Sequence, residues 1–172
     1  MKKTFLLSVT ALGLLWTCQP ALGGVLDAPL PVLDPSRSTR LLYLIPGVIK
    51  NKNIETIVEC TSLDRSPAFF GVQVFNFDGT GPLNPPDPGS DGILLIQPGE
   101  TLSIATGEIA GLHEDEKIGT SANPIGPVTN GSARVVGTTK KLICSAFLVD
   151  QLGDPPASMA GLRIISKKQR GD

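Results

Sequence analysis

Residues Lys140 to Asp150 read KKLICSAFLVD. Leu142, Cys144, Ala146 and Leu148 fall on one face of this run, as expected of a half-buried strand with a period of two. Its counterpart is Asn53 to Ser62, NIETIVECTS, where Ile54, Thr56, Val58 and Cys60 share one face and Glu55, Ile57, Glu59 and Thr61 the other. The β-branched content supports a strand. Cys60 and Cys144 each sit mid-strand on the face expected to point inward. Bridged, they would pin facing sheets together and close a loop of about 85 residues, worth about 4 kcal/mol in the chain-entropy model. Two separate buried thiols are the alternative, since free cysteine is a good small core residue.

The rest of the chain repeats the pattern of short apolar runs divided by glycine and proline. Leu41 to Lys50, LLYLIPGVIK, is a strand with Pro46-Gly47 as a turn or bulge, a feature of edges and sheet corners. Phe69 to Phe77, FFGVQVFNF, has Val72 and Val74 on one face and Phe75 and Phe77 with Gln73 on the other, so an arm or loop should cover its outer face. Ile93 to Gln97 and Thr101 to Thr106 flank Pro98-Gly99, which suits a type II turn. Ser132 to Thr138 and Gly161 to Ser166 complete about eight strands. Two long loops remain, Gly79 to Asp91 and Gly107 to Gly131, the second holding the only histidine, with a helical turn conceivable at His113 to Glu116. Short strands between Gly/Pro turns predict an all-β, antiparallel two-sheet sandwich over residues 41–166.

The N-terminus reads as an address. Lys2 and Lys3 precede the apolar segment Phe5 to Trp16, too short to span a bilayer, and Ala21-Leu22-Gly23 offers small residues for cleavage after Gly23. Cys18 opens a competing reading, lipidation at that residue, although Trp16 and Thr17 fit a lipobox poorly. Either way the chain is expected to leave a bacterial-type cytoplasm, for the medium or the periplasm, where a disulfide can persist. Residues 24–40 form a proline-rich arm, either a linker or a strand added to its own sheet or a neighbour's. The last six residues, KKQRGD, form a polar tail.

Composition narrows the function. The formal charge is −1 from 15 basic and 16 acidic residues; loss of Lys2 and Lys3 leaves 13 against 16, or −3. Such a balance gives nucleic acid no basic face. One histidine cannot supply the usual zinc or copper sites, which draw on several His or Cys residues. A Ser-His-Asp or Cys-His centre needs a histidine near a nucleophile, whereas His113 stands alone in an acidic loop. Asp78, Asp87 and Asp91, and Glu114, Asp115 and Glu116, are oxygen ligands without a calcium-loop spacing. The only tryptophan, Trp16, leaves with the leader, so a sugar site would lack aromatic platforms. Asn130-Gly131-Ser132 fits both a glycosylation sequon and a turn, and Arg170-Gly171-Asp172 is a chance tripeptide.

With VECT at Val58 to Thr61 and ICSAF at Ile143 to Phe147, the chain resembles the immunoglobulin-like sandwiches, in which an early and a late strand carry bridged cysteines. It departs from them in having no core tryptophan, and Leu142 stands where a tyrosine corner would. The span from ECTSLDRSPAFFGVQVFNFDG to SARVVGTTKKLICSAFLVD also resembles small exported bacterial proteins, a likeness that carries no activity with it. The expectation is therefore a non-enzymatic exported module, with a structural or binding role at the envelope or surface. It should need no metal or cofactor, and meet a protein or surface partner through the long loops or an open sheet edge. The alternatives are a self-assembling subunit whose arm completes a neighbour's sheet, as in donor-strand pilins, and a secreted hydrolase using a carboxylate pair.

Overall fold

Alternating apolar residues, broken at glycine and proline, form most of the strands that the sequence shows. The computed structural model describes residues 24–84, 92–119 and 125–166. Residues 1–23, read above as a leader and including Cys18, residues Asp87 and Asp91, and the polar tail with its Arg-Gly-Asp tripeptide lie outside these. Ten strands follow in order: β1 (Arg40–Lys50), β2 (Ile54–Ser62), β3 (Ala68–Phe75), β4 (Ile93–Ile96), β5 (Thr101–Ala105), β6 (Glu116–Lys117), β7 (Val128–Gly137), β8 (Leu142–Asp150), β9 (Met159–Gly161) and β10 (Ile165–Ser166).

They form two five-stranded sheets, ordered β10-β1-β7-β3-β4 and β6-β5-β2-β8-β9. Every pairing is antiparallel except β5 with β6. The inner faces meet in one core, with Ile45, Phe70, Val72, Val74 and Val135 of the first sheet against Val58, Cys60, Ile104 and Ala146 of the second. Tyr43 of β1 reaches across and donates its hydroxyl to the Leu142 carbonyl of β8, 2.5 Å away. The chain is thus an all-β two-sheet sandwich.

Cys60 and Cys144 are bridged, and both point into the core, but they do not join facing sheets. They are directly opposite one another in the β2–β8 ladder, with Cα atoms 4.1 Å apart. Opposite residues of an antiparallel pair come this close where no hydrogen bonds link them. Period-two alternation tells which face a residue takes and is silent about which strand lies alongside. In immunoglobulin domains the bridged strands belong to different sheets.

The Pro98-Gly99 turn forms as expected, with Glu100 N–H bonded to the Gln97 carbonyl and Gly99 at φ +77°, and it passes the chain from the first sheet to the second. Two other departures have local causes. The last expected strand divides: β9 pairs with β8 and β10 with β1, while Leu162 and Ile164 between them pack on the core. At 113–116 no helical turn forms; the chain there leads into β6 alongside β5. The kink at Pro46-Gly47 appears as a register shift between Pro46 and Val48, with Gly47 at φ +81°.

Candidate interaction surface

Alternation along β3 sends Phe70, Val72 and Val74 into the core and leaves Gln73 and Phe75 on the outer face of the first sheet. Both are nonetheless buried, as is Arg134, which stands opposite Gln73 in the ladder with β7. Residues 24–39 cover them. The amides of Asp27 and Ala28 both bond to the Gly24 carbonyl, curling the chain into a turn, and Ala28 and Leu33 bury their side chains. We call this segment the strap. It adds no strand to either sheet.

Arg134 holds the strap in place. Its Nε donates to Gln73 Oε1 at 2.7 Å, one terminal nitrogen to the carbonyls of Ala28 at 2.8 Å and Val25 at 3.2 Å, and the other to the carbonyl of Pro29 at 2.7 Å. The guanidinium carbon lies 5.2 Å from the centre of the Phe75 ring, within cation–π range. The acceptors are all neutral. Burial lowers the pKa of Arg134, yet a guanidinium stays charged in proteins. A buried cation is costly unless its donors are met, and here strap carbonyls meet them. Gln73 Nε2, beside it, is buried without a hydrogen-bond partner.

Among the described residues the other tie of this kind is Arg37, which donates to the Pro67 carbonyl at 2.7 Å. Among the described residues, then, the strap's hydrogen bonds to the sandwich all come from two arginine side chains. Strap residues 30–32 and 34–39 also line a shallow groove of about 410 Å³.

The outer face of the second sheet has a roof of its own. Ile109 and Leu112 fold over Ile57, Ala105, Phe147 and Val149, making a small second core. Beside it the buried Glu55 accepts from Thr106 Oγ1 at 2.6 Å and pairs with Lys50 Nζ at 3.4 Å. A Cβ at Gly107 would lie 2.6 Å from the Glu55 carboxyl carbon, so this approach requires glycine. Farther along, Asp115 accepts from Ser103 N and Oγ at 2.7 and 3.1 Å, and His113 Nε2 lies 3.1 Å from its other oxygen. The Ser103 hydroxyl also donates to the His113 carbonyl. Aspartate stands between serine and imidazole, so the order needed for a base to take the serine proton is not met. The cluster fastens the roof to β5.

Asn84 closes the remaining gap. Its carboxamide donates to the Val72 carbonyl at 2.7 Å and accepts from Val74 N at 2.9 Å, so the loop after β3 stands in for a strand beyond the end of β4. No protein-family model matches the chain, and comparison with curated proteins and with solved structures finds no match.

Of the carboxylates singled out in the sequence, Asp78 and Asp115 serve locally. Asp78 caps its own turn, accepting from Thr80 N and Oγ1 at 2.9 and 2.7 Å. Among the described residues, no three His, Cys, Asp or Glu side chains gather closely enough to hold a metal ion. No helix there is long and apolar enough to cross a membrane. Asn130, read as a turn, lies inside β7 at φ +53°. Of the surfaces expected to make contacts, the first loop contributes residues 79–84 and the second its roof at 107–115. The strap adds Leu26, Leu30 and Val32, all exposed, and Phe77 nearby in sequence to Asn84 is 75% exposed. Arg134 was the residue that sequence reasoning passed over. Its signal was a single arginine in the apolar run SARVVGT, opposite in phase to Ala133 and Val135.

Proposed function

We propose that this chain is an exported, non-enzymatic β-sandwich module with a structural or binding role at the cell envelope or surface. One observation carries the reading: both outer faces are covered by irregular segments, and the carboxylates near them are engaged in structural bonds. Glu55 and Asp115 fasten the roof of the second sheet, while Asp64 and Asp78 tie loops and turns at the ends of strands. What remains for a partner is the outside of the strap, with Leu26 and Val32 at 58% and 59% exposure, and the loops. Exposed apolar side chains gathered into a patch mark interaction surfaces. The bridge between Cys60 and Cys144 favours an oxidising compartment. Two packed sheets with bridged cysteines on an early and a late strand favour a divergent relative of the immunoglobulin-like sandwiches; the position of the bridge within one sheet counts against that kinship.

The test is a native mass spectrum of the protein taken without reductant from its own cells, fraction by fraction. The module reading expects a species beginning at Gly24, two hydrogens lighter than the reduced chain, in the envelope or medium. A species beginning at Cys18 and carrying acyl chains would make it membrane-anchored. Full-length, reduced protein in the cytosol would sink the reading.

A further inference from the structure

We propose that the strap exchanges between two copies of the chain, so that residues 24–35 of each dock on the Arg134 face of the other. This stands beside the module reading, which would survive its failure.

The argument begins with how the strap is attached. A strand in a sheet is held by a ladder of backbone bonds, and removing it orphans a row of buried amides and carbonyls. The strap has no ladder. Arg134 and Arg37 supply its hydrogen bonds to the sandwich among the described residues. Lifting it breaks few bonds and returns its carbonyls to water.

The second step concerns the elbow between strap and β1. Residues 33–39 bond mainly to one another: Leu33 N to Thr39 Oγ1 at 3.2 Å, Arg37 N to the Asp34 carbonyl at 3.1 Å, and Ser36 N and Oγ to Asp34 Oδ1 at 2.8 and 2.7 Å. Arg37 also pairs with Asp34 at 3.5 Å. The elbow can therefore swing as a unit once Arg37 lets go of Pro67 and the Leu33 side chain leaves its buried site. Pro29, Pro31 and Pro35 keep the segment extended when free, which limits the ordering cost of docking elsewhere.

The third step identifies the partner. The empty face would present a buried guanidinium, the Gln73 carboxamide with its unpartnered Nε2, and the Phe75 ring. The turn that starts at Gly24 presents the carbonyls of Val25, Ala28 and Pro29 in the arrangement this face accepts. A second copy carries the same turn. Exchange reforms each bond in trans, so its cost falls on the elbow and on bringing two chains together. The apolar side chains that the docked strap leaves exposed, Leu26, Leu30 and Val32, would lie at the junction of the two bodies.

Two full-length variants test this by complementation. Arg134→Met removes the socket and keeps the strap; Ala28→Arg sets a bulky like charge beside Arg134, which spoils the strap and keeps the socket. Exchange predicts that each is monomeric alone in a native mass spectrum and that the mixture yields a one-to-one heterodimer. Monomers only in the mixture, from variants that retain the disulfide and the wild-type far-ultraviolet dichroism, would overturn the proposal. So would dimers as abundant in either variant alone as in the wild type. Should a variant fail to fold, isotopically light and heavy wild-type chains decide the matter. Mixed-mass dimers that a synthetic peptide of residues 24–35 dissolves support exchange. No mixed-mass dimer, or one indifferent to the peptide, refutes it.

Discussion

Tyr43 is the chain's only tyrosine, and it ties the two sheets together through its bond to the Leu142 carbonyl. Burial raises its pKa above the ordinary value, because the phenolate would lose both water and the bond it now donates. A folded pKa above the unfolded one means that the stabilisation is whole below about pH 10 and is lost as pH rises through the folded value. Phenolate absorbance should therefore appear at higher pH in the folded protein than in urea. Coincident titrations would show that the hydroxyl is free. Tyr43→Phe should cost about 1 kcal/mol, measured by urea unfolding, since the Leu142 carbonyl loses its donor. Asp64 shows the opposite sign. Its carboxylate takes a hydrogen bond from Thr139, another from the amide of Arg65, and an ion pair with Lys141 at 3.3 Å, which together hold its pKa at about 2. Depression places the stabilisation above the unfolded pKa of about 4 and removes it as pH falls through the folded one. Asp64→Asn should flatten the fall of the melting temperature between those two pH values. An unchanged acid limb would assign that fall to other groups.

At the scale of elements, the sequence was most legible where one face is buried. The boundaries of β1, β2, β5 and β8 could be read to within one or two residues from alternation and from Pro-Gly or Asn-rich breaks. The same signal could not say that β2 and β8 are neighbours, nor that the Pro98-Gly99 turn changes sheet, because pairing depends on contacts far apart in sequence. It also missed β6, two residues long, and the division into β9 and β10, since so short a stretch carries no period. The strap was legible only by implication: Phe75 on the outer face called for a cover, and Phe75 is indeed buried, whereas Phe77 beyond the strand's end is not. The bridge offers a test of what pairing contributes. Residues Ile54 to Ser62 are already in register with Leu142 to Asp150, so the disulfide adds a covalent link to an existing ladder. Its main action should then be on the unfolded chain, where it closes a separation of 84 residues. Replacing both cysteines by alanine should lower stability by about 4 kcal/mol. Far-ultraviolet dichroism should keep its strand signature below the new midpoint. A loss of that signature in the absence of denaturant would mean that the ladder depends on the bridge.

The whole molecule divides unequally. Between the sheets lies one large core, and the two outer faces carry thin covers. Yet the covers differ in kind. The roof over the second sheet is continuous with β5 and β6 and is fastened by Ser103, Asp115, Thr106 and Glu55, so it should open only with that sheet. The strap sits on the donors of Arg134 and Arg37 and lacks a ladder, so it should open alone, at a free energy well below that of global unfolding. Limited proteolysis distinguishes these. A protease with broad apolar specificity, used where the fold is stable, should first cut within residues 26–33, at Leu26, Leu30 or Leu33. It should leave a resistant body containing β1 to β10 and the intact bridge. The cutting rate should follow protease concentration without a change in the urea midpoint of the body, as local opening requires. Arg134→Met should raise that rate about tenfold or more, since the strap's hydrogen bonds then reduce to the one from Arg37. Were cuts in the strap and at Leu112 to appear together, at a rate set by global unfolding, strap and sandwich would be one cooperative unit, and the strap could not be lifted while the sheets stay whole.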